Sequence, residues 1–366
     1  MLSNLDETMM HQTPTLFEQT YTSDHRFFDR LWFGIVHPDG EIGLITGMGT
    51  YKNMNVRDGF ASVQHQRMQY NTRVSRTLRP DIDSSSVGPL HVDIIEPFKK
   101  LRLRLDPGEH PASYDLTWTA ALPPYVEARH LQYQTGRVTQ DSTRYDQVGS
   151  VSGWLELNGN RYEVKRWWSV RDHSWGVRPG VGGFEPTSVT VPSSMLWLWA
   201  YCSNDELGCM FQLKEDGEGN RIFLDGQVHW REEVGREPMK IVDVSHDIYF
   251  VPGTRSYYSL TYNLKLENDE VLKVFAKSLF RPWAYSGTGY GKGYNDGKGL
   301  GAWRGESLLE WDIYDLNHPE NVLDLDGNKI PSGHREQPVQ ATVNGKPGFG
   351  HFPVMSFGPI KRYALT

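Results

Sequence analysis

The chain of 366 residues carries only two cysteines, Cys202 and Cys209. Two thiols cannot supply a disulfide framework or a four-cysteine zinc cage. No stretch of about 18 consecutive apolar residues exists, which excludes a membrane-spanning helix. Positive charge is also short. There are 38 Lys and Arg against 45 Asp and Glu, a formal charge of −7. Such a balance argues against a binder of phosphate backbones, so no nucleic-acid partner is expected. Met1 to Glu7 has neither the basic nor the apolar region of a secretory leader, and a cytoplasmic location is the expectation.

Familiar catalytic signatures are missing as well. The chain has no GxSxG elbow, no HExxH and no CxxC. The glycine-rich run from Ser286 to Gly301 has neither the spacing of a dinucleotide fingerprint nor the Gly-Lys-Ser/Thr of a phosphate loop. No cofactor is therefore expected. The group Asp243, His246 and Asp247 reads more simply as a turn or strand end than as a metal site. No metal is expected either.

What is plentiful is aromatic: 12 Trp, 18 Tyr and 15 Phe. Together with turn residues they point to β structure. Leu31 to Val36 and Glu41 to Ile45 flank His37-Pro38-Asp39-Gly40, a strand–turn–strand pattern. Leu101 to Leu105 alternates with period two. Trp154 to Leu157 and Arg161 to Lys165 flank an Asn-Gly turn. Further hairpins are expected at Tyr257 to Ala276 and at Met195 to Leu213. One helix could fit residues 16–33, although aromatics dominate there and no cap is evident. The expectation is an all-β chain built from two antiparallel barrels or sandwiches. A loop-rich stretch from Pro179 to Pro192 suggests the division, into residues 1–185 and 186–366.

Three segments carry candidate chemistry. In Lys165 to Pro179, Arg171, Asp172, His173, Trp175 and Arg178 lie close together. On a strand, Asp172 and Ser174 face one way and His173 and Trp175 the other. His173 beside Trp175 offers proton transfer next to a π-face. Arg171 and Arg178 read as structural support, with Asp172 and Arg178 a candidate buried ion pair. The competing reading is a buried polar network under a barrel. Trp197, Trp199 and Tyr201 share one strand face, either a core stripe or a cavity wall. The glycine-rich run reads as a lid or irregular crossover, with Trp303, Glu306 and Glu310 after it. Glu306 is a candidate second acid, though solvated carboxylates are the commoner outcome.

Arg171-Asp172-His173-Ser174-Trp175-Gly176, followed by Trp197-Leu198-Trp199, resembles the lipocalin-like family of carotenoid 1,2-hydratase and the AttH-type proteins. Glu96 to Leu105, the glycine-rich run and Trp303-Arg304-Gly305-Glu306 resemble a bacterial subgroup of that family. The resemblance implies two consecutive lipocalin-like domains with a deep apolar cavity. It also implies cofactor-free work on hydrophobic isoprenoids, with His173 and Trp175 at the positions that serve catalysis. In the hydratase a Tyr and an Asp on a neighbouring strand also take part. Met195 to Tyr201 offers Tyr201 but no carboxylate.

The resulting expectation is a hydratase, dehydratase or isomerase for a hydrophobic small molecule. His173, Asp172 and Glu306 would move protons. Trp175, Trp197, Trp199, Tyr201 and Trp303 would enclose the ligand. The alternative is a non-catalytic carrier using the same cavity. A homodimer is compatible with either.

Overall fold

The computed structural model describes residues 2–185, 194–291, 293–318, 320–331, 333 and 336–366. The expected junction segment from Pro186 to Pro192 lies outside these residues. Among the described residues there is no α-helix, only short 3-10 turns between strands. None could cross a membrane as a long apolar helix.

The turn chemistry sets the hairpins. Phe27–Val36 pairs antiparallel with Ile42–Tyr51, and Gly40 turns the chain at φ 70°. Arg137–Leu157 pairs with Asn160–Val177 through Asn158 and Gly159, both at positive φ, as a tight primed turn requires. Residues 16–33 hold no helix: their C-terminal part begins Phe27–Val36, where alternating large side chains suit a pleated surface better than a helix.

Two sheets result, all of whose ladders are antiparallel. The second is a closed barrel. Met195–Ser203, Leu207–Asp216, Arg221–Trp230, Met239–Phe250, Tyr257–Leu266, Val271–Ser278, Pro338–Val343 and Lys346–His351 follow in order. The last pairs back onto the first, with Tyr201 opposite His351. Eight strands leave an interior just wide enough for side chains to fill. Leu196, Leu198, Ala200 and Cys202 point inward into that filled core. Pro338–Val343 and Lys346–His351, near the end of the chain, complete the barrel.

The first sheet has 14 strands and curls on itself. One end folds back over an inner strand, Val56–His65: a Cβ added at Gly59 would lie 2.6 Å from Leu90 Cδ2 and 3.2 Å from Val87 Cγ1. Trp118, Leu103, Val151 and Trp167 fill the curl. The chain re-enters this sheet late: Ser307–Asp315 pairs with Met68–Thr77 after most of the barrel is built.

A third apolar cluster lies between the sheets. Trp32, Val148, Trp168 and Val170 from the first sheet meet Trp199, Tyr201 and Met210 from the barrel. The Trp197–Trp199–Tyr201 face is therefore the outside of the barrel, pressed on the other sheet, and not the wall of a lumen. The deep apolar cavity implied by the family resemblance does not lie inside the barrel, whose interior is packed with aliphatic and aromatic side chains.

Candidate active site

The long hairpin of Arg137–Leu157 and Asn160–Val177 positions the polar part of this junction. Its register sets Asp146 opposite Asp172 and Arg144 opposite Ser174. Even-numbered positions from Trp168 to Ser174 face the barrel. Asp172, Ser174 and Arg144 line a pocket there with Arg178, Trp32, Trp199, Tyr201 and Glu336. Tyr285 and Tyr290, stacked with centroids 4.2 Å apart, complete its wall. The free space is about 20 Å³, room for about one water.

The pocket is dense in ionisable groups. Burial raises the Asp172 carboxyl above its usual range, and Arg144, whose Nε is 3.9 Å from Asp172 Oδ2, opposes that rise only in part. Burial and then the neighbouring Glu127 carboxylate push Asp146 well above the usual range. Tyr201 donates its hydroxyl to Asp146 Oδ1 at 3.1 Å. Glu127 behaves in the opposite way. Burial raises it, but Arg144 and His130 outweigh burial and hold it at about 2. It accepts from Gln212 Nε2 at 2.7 Å and faces His130 Nε2 at 2.9 Å. Two carboxyl groups this close share one proton, with Asp146 holding it and Glu127 the charge. The Arg144 guanidinium lies 4.1 Å over the Trp199 ring, and its Nε makes no hydrogen bond among the described residues.

The opposite wall has its own pair. His351 Nε2 is 2.7 Å from Glu336 Oε2, both fully buried or nearly so. The His351 ring meets Trp32 edge-on at 5.1 Å. Gly34 permits this approach: a Cβ there would come within 3.3 Å of His351 Nδ1.

The strand separates some expected partners. His173 and Trp175 stay together, ring centroids 5.2 Å apart, but on the concave side of the first sheet. There His173 Nε2 is 2.7 Å from Asp29 Oδ1 and Nδ1 is 3.2 Å from the Tyr145 hydroxyl. Trp175 is partly exposed. Arg171 supports this side, donating to Gln147 Oε1 and to the Tyr145 hydroxyl. Asp172 takes Arg144 as its near cation, whereas the Arg178 guanidinium lies over Tyr290 at 5.3 Å. Trp197 and Trp199 stack at 6.2 Å.

Glu306 and Trp303 lie far from the pocket. Both are exposed beside Thr77 at the edge of the first sheet. The reason is topological: the segment after the glycine-rich run must reach Met68–Thr77 to pair with it. Glu310 and Asp312 there clamp Arg73, at 2.7 and 2.6 Å. The glycine-rich run is an irregular crossover whose start brings Tyr285 and Tyr290 to the pocket. The Asp243–Asp247 group sits within one strand, with His246 3.0 Å from Glu215.

Sequence reading missed Arg144, Asp146, Glu127, Trp32, Glu336 and His351. The only local sign was polar residues recurring at alternate positions in 140–146, which equally describes a solvated strand.

Over residues 2–366 the chain matches the family described as "Family of unknown function (DUF8625)", and it belongs to that family. No curated protein matches it in sequence. In structure it is similar to a Nitrosomonas europaea protein provisionally assigned as AttH, with a TM-score of 0.53 and 12% identity over 91% of this chain and 93% of that one. CghA solved with Sch210972 overlays with a TM-score of 0.43 and 8% identity, over 91% of this chain and 88% of that one. The fold is therefore AttH-like.

Proposed function

We propose that the chain is a cofactor-independent acid–base enzyme for a small, largely apolar molecule, acting at the pocket between the two sheets. One observation carries this reading: Asp172, its protonated form favoured by burial, lines an aromatic-walled pocket beside Arg144 and Tyr201. A carboxyl group that retains its proton can deliver it to carbon or oxygen. Arg144 and Arg178 place positive charge at the same pocket, which suits an oxygen that becomes negative. Proton transfer beside a carbonyl, in an isomerisation or dehydration, fits these groups better than a free carbocation does. Asp172 would move the proton, Arg144 Nε would hold the oxygen, and the Tyr201–Asp146 pair would support Asp172. Trp32 and Trp199 would flank the apolar body. Entry displaces Tyr285 and Tyr290, whose rings fill the space a ligand needs.

The test begins with the purified protein. Organic extracts examined by mass spectrometry should contain an apolar carbonyl compound or its product. Incubated with fresh protein in heavy water, that compound should gain deuterium as it converts. Asp172→Asn should slow conversion by at least about 100-fold while still binding. A co-purified molecule that stays unchanged makes the protein a carrier, and conversion undiminished in the variant removes Asp172 from the chemistry.

A further inference from the structure

The acid pocket is not the roomiest space at the sheet junction. A cleft of about 910 Å³ lies at another part of the junction, within the usual size of small-molecule sites. It shares no lining residue with the acid pocket. Along Asn160–Val177, Val170 stands between Trp168, which lines the cleft, and Asp172, which lines the pocket.

Two guanidinium groups, Arg166 and Arg231, line the cleft. Neither has a carboxylate partner among the described residues, although the chain carries seven more acidic than basic groups at pH 7. Arg231 spends one weak bond on the Asn204 carbonyl at 3.3 Å, and its buried Nε has no partner. Asp205 is the one acid that lines the cleft among the described residues. Trp168 and Phe349 supply flat apolar surface, and Trp168 is fixed by donating Nε1 to Ser203 Oγ at 2.9 Å.

The backbone gives an independent sign. At Arg166 the ladder slips: Val151 faces Trp167, but Gly153 faces Val164. Arg166 occupies this bulge with φ 52°, a left-handed conformation that favours glycine. Its amide donates to Ser152 Oγ at 3.1 Å, which helps hold the bulge. A long β-strand needs no arginine at such a position. A bulge re-aims its side chain, and backbone strain held at a cleft is a mark of use.

We propose that this cleft is a second binding site, for a small molecule that combines an anionic group, held by Arg166 and Arg231, with a flat apolar body on Trp168. The ligand would touch both sheets at once.

Calorimetric titration of the full chain tests this with three probes: 2-naphthoate, 2-naphthylmethylamine and inorganic phosphate. The expected result is one saturable naphthoate site, weaker phosphate binding and none for the amine. Arg166→Gly, which suits the left-handed backbone, and Arg231→Gln should each weaken naphthoate about tenfold or more, the scale of one charge-assisted hydrogen bond. Asp172→Asn should leave it unchanged. The proposal is overturned if neither anion binds, if the amine binds as well as naphthoate, or if affinity survives both arginine changes. Loss of naphthoate binding in Asp172→Asn would assign the site to the acid pocket and overturn it equally.

Discussion

Asp146 and Asp172 lie directly opposite one another across an antiparallel ladder, both buried and both raised above the ordinary carboxylate range. Opposed like charges destabilise a strand pair, so the hairpin is most stable when at least one of the two is protonated. In the unfolded chain both ionise near pH 4. The folded state therefore binds more protons above that pH, and stability should fall as pH rises through the interval up to the folded pKa values. Asp146→Asn should flatten this fall, as read from urea midpoints between pH 4 and 9. Glu127 acts in the other direction, since its folded pKa is lowered to about 2. Its contribution is present above the ordinary range and should be lost as pH drops from about 4 toward 2.

His173→Ala and Asp172→Asn should part company. His173 lies on the other face of the strand from the pocket, so its removal should change conversion by no more than a few fold. Asp172→Asn should cost about two orders of magnitude or more. Equal losses in the two variants, measured as initial rates on the co-purified compound, would move the chemistry to the concave side of the sheet.

Tyr201→Phe removes the hydroxyl that donates to Asp146. A bond of this kind contributes roughly 0.5–1.5 kcal/mol net. The variant should unfold at correspondingly lower urea, with the slope of the transition unchanged.

Gly34→Ala should destabilise the junction. The new Cβ would lie 2.7 Å from the end of the Trp32 ring and 3.3 Å from His351 Nδ1. Overpacking of a filled core costs about 1–3 kcal/mol, and a lowered Tm in calorimetry should show it.

Arg73→Met would leave Glu310 and Asp312 without the buried cation that both contact. Removing one member of a buried ion pair costs about 3–5 kcal/mol, and the partial exposure of the two acids places this case near the lower end. Denaturation midpoints should report it.

Much of the fold was legible because hairpins are local. Asn158-Gly159, and Gly40 after Pro38-Asp39, reverse the chain at positive φ and so specify their strands locally. Barrel closure was not legible, because it depends on Tyr201 meeting His351 from the far end of the unit. The same limit governs the site. Period two separated Asp172 from His173 correctly, but periodicity does not say which face will meet a second sheet. Trp197, Trp199 and Tyr201 did share a face. Their alternates Leu196, Leu198, Ala200 and Cys202 are just as apolar, so the sequence pattern leaves inside and outside interchangeable. Arg144 and Asp146 escaped notice because a polar strand facing a buried charge cluster reads like one facing water.

The late return of the chain to its first sheet has a consequence for synthesis. Glu310 follows its partner Arg73 by 237 residues. While the ribosome makes the barrel, Met68–Thr77 waits as a bare edge with its amides and carbonyls unpaired on one side. Such an edge recruits stray strands. A nascent chain of this protein thus depends on whatever shields that edge until Ser307–Asp315 emerges, and a fragment ending near residue 185 would carry the exposed edge permanently.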